Sequence, residues 1–167
     1  KAAVLYEMGS PLVIDELELE GPRANEILIK YTASGICHSD LSFRDGVIQS
    51  AIPSVLGHEG AGIVEDVGPG VTTVKPGDHV IASLTPACGN CMFCLERKPF
   101  LCQQMASVIW QGCLPDGTTR LKNSKGKPIG QLVGVGTFSE RAVIPAGNAI
   151  KIDNDAPLDT VCLIGCG

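Results

Sequence analysis

The sequence predicts a mainly β protein, a barrel or sandwich of short strands, and three observations carry that prediction. Gly (20) and Pro (11) are abundant, aromatic residues make up only 4% of the chain, and Gly/Pro turns recur at about ten-residue intervals between short apolar runs. A chain of 167 residues buries about 70% of its unfolded surface as one domain, so one compact domain is the expectation.

The elements follow in order. Ala2 to Glu7 and Leu12 to Glu20 are apolar-rich runs, the second ending in strict alternation, the pattern of a half-buried strand. Gly21-Pro22 breaks it, and Glu26 to Ala33 is β-branched enough to be a central strand. Ser34-Gly35 ends that strand, which places Cys37 at its exit, and Ser39 to Arg44 reads as a short helix capped by Ser39. Gly60 to Val67 and His79 to Ser83 are further strands, separated by the turns Gly68-Pro69-Gly70 and Lys75 to Asp78. Gly112 to Lys127 reads as a polar loop, strands return at Phe138 to Pro145 and Ala149 to Ile152, and a helix over 158–167 starts after Asp155-Ala156-Pro157.

The charge balance is 13 Lys plus Arg against 18 Asp plus Glu, a formal net charge of -5. Without a basic run to grip phosphates, nucleic acid is excluded as an expected partner. No apolar stretch reaches the roughly 20 residues of a spanning helix, and Lys1 to Ser10 lacks the apolar core of a signal peptide, so a cytoplasmic protein without membrane contact is expected. Eight cysteines in such a chain point to metal rather than to a disulfide framework.

Two cysteine arrangements carry chemistry. Cys37 and His58 are separated by twenty residues, each beside an acid, in Gly35-Ile36-Cys37-His38-Ser39-Asp40 and Gly57-His58-Glu59-Gly60. Zinc accepts thiolate and imidazole, and a catalytic zinc needs three protein ligands with one position open. Cys162 is the candidate third ligand. Taken singly, each residue is better explained without metal, Cys37 as a buried apolar thiol and His58 as a hydrogen-bonded core histidine. Cys88, Cys91, Cys94 and Cys102 follow C-x₂-C-x₂-C-x₇-C, a spacing that closes four thiolates around one structural Zn²⁺ within a lobe over about 86–103. An iron–sulfur cluster and a pair of disulfides are the competing readings. The first lacks the short spacing and following Pro of the bacterial ferredoxin run, and the second lacks an oxidising setting.

Together with Gly136-Thr137-Phe138-Ser139 and Val161 to Gly167, these motifs resemble the zinc-dependent medium-chain alcohol dehydrogenases over nearly the whole chain. The resemblance implies a GroES-like, partly open β-barrel with short helices and a structural zinc lobe. It also implies that the helix over 158–167 leads toward a Rossmann domain binding NAD that these residues lack. Implied further are two Zn²⁺ per chain, one on Cys37, His58 and Cys162, and reversible oxidation of a primary aliphatic or aromatic alcohol to an aldehyde, with hydride passing to NAD. Ser39 matches the hydroxyl that passes the alcohol proton outward, and Asp40 the acid that orients His58. Glu59 matches the glutamate behind the zinc, and His38 the position facing the cofactor pyrophosphate. Leu84 and Phe138 match pocket walls, with Trp110 at the entrance. A homo-oligomer acting on a small-molecule alcohol or aldehyde is the implied whole.

Two departures bear on chemistry. Ser42 stands where many relatives end a proton relay with His, and a hydroxyl is no terminal base near neutral pH. Ala106 stands where glutathione-dependent relatives carry an Arg, which argues against a glutathione adduct as substrate. The alternative to an enzyme is a zinc-stabilised binding module, the expectation for these residues in isolation. A zinc-free reductase on the same barrel is disfavoured by the presence of both Cys37 and His58.

Overall fold

The computed structural model describes residues 1–85, 87–103, 108 and 110–167. Among the described residues eleven strands lie in two sheets: β1 (Ala2–Leu5), β2 (Val13–Asp15), β3 (Glu18–Leu19), β4 (Glu26–Ser34), β5 (Ser54–Val55), β6 (Gly60–Val67), β7 (His79–Ala82), β8 (Leu121–Lys122), β9 (Pro128–Gln131), β10 (Arg141–Pro145) and β11 (Ala149–Lys151). The orders are β2-β1-β5-β9-β8-β3 and β10-β4-β6-β7-β11. Each sheet curls as half of a partly open barrel, and the bridge Ala2↔Ser139 ties strand β1 of the first to the entry of β10 in the second. Helices are short: α1 (His38–Arg44), α2 (Met92–Leu95) and α3 (Leu158–Val161). Among the described residues no helix is long and apolar enough to cross a membrane.

The predicted central strand is central: β4 lies between β10 and β6, and its Ile27 and Ile29 are fully buried, so truncating either to Ala would cost about 2–5 kcal/mol. The run Leu12 to Glu20 divides instead into β2 and β3, which occupy opposite edges of the six-stranded sheet. The segment read as a polar loop contains β8 and the fully buried Arg120. Its guanidinium donates from Nε to Glu26 Oε2 at 2.9 Å, and from Nη2 both to Glu26 Oε1 and, at 2.6 Å, to Asp116 Oδ2. A charge buried in this way is tolerable because it is paired and hydrogen-bonded on several sides.

One end of the five-stranded sheet gathers the chemistry. The register pairs Ser34 with Gly60 and Gly60 with Ala82, so the exit of β4, the entry of β6 and the exit of β7 lie side by side. Cys37 follows the first, His58 and Glu59 precede the second, and Leu84 follows the third. The 3₁₀ turn Cys162–Gly165, which continues α3, packs against β4, β6 and β7 at the same end.

Candidate functional site

The Cys37 sulfur, an imidazole nitrogen of His58 and the Cys166 sulfur lie within 4.8 Å of one another. The expected third member, Cys162, is not in this group. Its side chain turns inward, 2% exposed, into an apolar cluster with Ala61 and Ile81, and its thiol faces the Asp159 carbonyl at 3.4 Å. Cys166 stands past the end of the 3₁₀ turn between two glycines, exposed at the mouth of the site. The helical segment thus spends Cys162 on packing and offers Cys166.

Asp40 knots the site together. Its Oδ1 accepts Nδ1–H of His58 at 3.0 Å and the Gly57 N–H at 3.1 Å, and its Oδ2 accepts the Cys37 N–H at 3.1 Å. The last bond is the return arm of a capping box: Cys37, not Ser39, is the N-cap of α1, because the helix begins one residue earlier than expected. With Nδ1 engaged, Nε2 of His58 is the nitrogen left for a ligand. The Asp40 hydrogen bond, opposed by desolvation and aided by Cys37, raises the His58 pKa to about 9.

The sulfur charges are set against one another. Backbone and hydroxyl hydrogen bonds from Ser39, with His58 beside it, hold the Cys37 thiol below its ordinary pKa. Desolvation, then the Cys37 sulfur and the Glu59 carboxylate, push Cys166 up to about 11. Two sulfurs and an imidazole nitrogen within 4.8 Å of one another are a soft donor set that fits a thiophilic divalent cation such as Zn²⁺.

Glu59 is buried behind the sulfurs, and Gly35 makes room for it. A Cβ at Gly35 would stand 2.1 Å from the Glu59 carboxylate and 2.6 Å from Leu163. Gly57, with φ +87, leaves no space for a Cβ against Thr137 and Phe138.

A cavity of about 160 Å³ opens beside the group, lined by Ser39, His58, Cys166, Phe43, Ile48, Leu84, Trp110 and Val133. Leu84 and Trp110 both line this cavity. Trp110 is 48% exposed, its ring 5.7 Å from that of Phe43. Phe138 does not line this cavity. It packs against the buried clusters of both sheets and borders another cavity with Ala2 and Tyr31, because its backbone is bonded to Leu56 and Ala3 between the sheets. Cys166, Phe43, Ile48 and Val133 are the residues that sequence reasoning missed. The flanking glycines of Cys166 were the available signal for a reachable thiol, whereas nothing local marks Val133. His38 is exposed at the start of α1, and the Ser42 hydroxyl donates back to its carbonyl at 3.3 Å. Ala106 lies outside the described residues.

The second group is a tight knot of sulfur. Sγ–Sγ distances are 3.9 Å for Cys88 and Cys94, 3.5 Å for Cys91 and Cys94, and 3.9 Å for Cys91 and Cys102. Four thiolates at 2.3 Å from a tetrahedral zinc stand about 3.8 Å apart. Backbone N–H groups of Cys88 and Cys91 point at the sulfurs of Cys102 and Cys88, both at 3.4 Å. Among the described residues no disulfide joins any pair.

The comparisons with known proteins agree with this geometry. The alcohol dehydrogenase GroES-like domain model matches residues 23–154. The NDMA-dependent alcohol dehydrogenase of Amycolatopsis methanolica is 52% identical over 167 residues, all of this chain and 44% of that protein. The alcohol dehydrogenase class-3 of Cereibacter sphaeroides is 48% identical, again over 100% of this chain and 45% of that protein. Among solved structures, benzyl alcohol dehydrogenase from Acinetobacter calcoaceticus superposes with a TM-score of 0.90 at 32% identity, over 99% of this chain and 44% of that one. The chain thus spans less than half the length of the relatives it matches. A domain-wide sequence match, the same two-sheet fold and two clustered donor sets show that this chain belongs to the alcohol dehydrogenase GroES-like domain family, of the zinc-dependent medium-chain alcohol dehydrogenases.

Proposed function

We propose that these residues form the catalytic domain of a zinc-dependent alcohol dehydrogenase that oxidises a small primary alcohol reversibly to its aldehyde. The observation that carries this reading is the convergence of the Cys37, His58 and Cys166 donor atoms within 4.8 Å, with His58 and Cys166 in the wall of an apolar cavity. Cys37, His58 and Cys166 would hold the catalytic ion, a Cys₂His set of the type known from alcohol dehydrogenases, and Cys88, Cys91, Cys94 and Cys102 the structural one. A zinc ion so held supplies Lewis acidity toward a substrate oxygen.

The protein's own groups do the rest. Asp40 fixes the His58 tautomer and, through the Cys37 N–H, the entry of α1. The Ser39 hydroxyl, on the cavity wall beside the Cys37 sulfur, both donates and accepts and is placed to carry a substrate proton outward. Ser42 does not extend that route, since its hydroxyl is spent on the His38 carbonyl, so solvent at the exposed α1 start receives the proton. Glu59 keeps negative charge behind Cys166. His38 is the group this chain offers to the pyrophosphate of NAD, which we assign to a nucleotide domain outside these residues. Phe43, Ile48, Leu84, Trp110 and Val133 line a cavity of about 160 Å³, below the range that takes drug-sized ligands, which favours a short aliphatic or single-ring alcohol.

Cys37→Ala in the full-length protein tests the reading. Alcohol oxidation with NAD should be lost while the fold, followed by circular dichroism, is kept. Oxidation at the wild-type rate would refute it.

A further inference from the structure

Val133 is a β-branched residue in the left-handed region, at φ 45 and ψ 28. Side chains of its shape adopt that conformation only under constraint, and such strain persists where the surroundings over-determine it. Its side chain lines the cavity beside His58 and Cys166.

The constraint comes from Gln131. This side chain is fully buried, and its Nε2 donates to the Gly134 carbonyl at 2.6 Å and to the Val143 carbonyl at 2.9 Å. Val143 belongs to β10, which is paired with the central strand β4. One amide therefore pins the turn just after Val133 to the rigid sheet. The Tyr31 hydroxyl adds a third tie, to the Val135 carbonyl at 2.9 Å. The Gln131 Oε1 is buried with no hydrogen-bond partner among the described residues, a cost that an apolar side chain would avoid. The polar group is thus explained by its two donors rather than by packing.

We propose that Gln131 is a positioning residue that sets substrate size: its amide clamps the 132–136 turn so that Val133 stays in the cavity wall. The specificity part rests on reading this cavity as an alcohol site, whereas the clamp itself does not.

The test uses the full-length protein with Gln131→Met, Val133→Gly and the double variant. Gln131→Met keeps length and volume but removes both donors. Amide hydrogen exchange of Val135 and Gly136, both bonded to the Leu132 carbonyl, should rise roughly tenfold or more in Gln131→Met while that of Ile29 in β4 is unchanged. Wild-type exchange at the turn would overturn the clamp. The ratio of kcat/KM for a branched over a short primary alcohol should rise roughly tenfold in Val133→Gly. It should move the same way in Gln131→Met, and the double variant should not exceed the larger single effect, because both act through one side chain. Additive effects, or no change in Gln131→Met, would overturn the specificity claim. If the wild type turns over no alcohol, the functional reading fails and the exchange measurement still decides the clamp. Should Gln131→Met not fold, Gln131→Asn, too short to reach both carbonyls, is expected to give the same rise in exchange, and wild-type exchange there would refute the clamp.

Discussion

His58 Nδ1–H donates to Asp40 Oδ1 over 3.0 Å, and the same carboxylate accepts the backbone N–H groups of Cys37 and Gly57. One side chain therefore fixes two donor-bearing residues that have twenty others between them in the chain. Asp40→Asn keeps the size but loses charge and one acceptor. Zinc affinity at the Cys37 site should fall about 10–100-fold, read by chelator competition, while the four-cysteine ion is retained. Equal loss of both ions would mean that Asp40 acts on the fold at large.

The pH dependence follows from His58 and Cys166. In the metal-free protein the His58 pKa is raised to about 9 by Asp40. Its charged form therefore stabilises the fold fully below the ordinary histidine value of about 6.5, and that contribution is lost as pH rises through about 9. Zinc needs a neutral imidazole and thiolates, so near pH 8 both His58 and the Cys166 thiol, held at about 11, must give up protons. Calorimetry in buffers of different ionisation heat should find protons released from His58 and Cys166 on binding at this site, with affinity rising with pH. Binding without proton release would contradict the assignment.

Arg120 is 0% exposed and pairs with the buried Glu26. Arg120→Met should destabilise the fold by about 3–5 kcal/mol, because Glu26 is left charged without its partner. Adding Glu26→Gln should recover part of the loss. Urea denaturation of the wild type and the two variants measures it, and a neutral single variant would count against the pairing.

The four sulfurs of the lobe, 3.5–3.9 Å apart where they touch, predict a separate behaviour. Cys91→Ser should release one ion and open 88–103 to proteolysis, with the Cys37 site still loaded. An undisturbed lobe would show that no ion organises it.

Much of this was legible in the sequence, and the failures have physical causes. The C-x₂-C-x₂-C-x₇-C spacing named the lobe because its four cysteines are local in sequence. Cys37, His58 and Asp40 were legible as motifs at a strand exit and a strand entry. Cys162 and Cys166 stand in one helical run, and that Cys166 rather than Cys162 lies with Cys37 and His58 depends on how that run packs on β6 and β7. Phe138, at the entry of β10, is bonded through its backbone to Ala3 of β1 and to Leu56 next to β5 in the other sheet, a relation that local pattern does not contain. Arg120 lay in a stretch polar enough to read as loop, since its partner Glu26 is 94 residues away.

Metal content per chain is the most direct test of the central claim that Cys37, His58 and Cys166 hold one ion. The wild type should carry two zinc ions, Cys166→Ala one and Cys162→Ala two. Two ions retained in Cys166→Ala, or one lost in Cys162→Ala in its place, would contradict it.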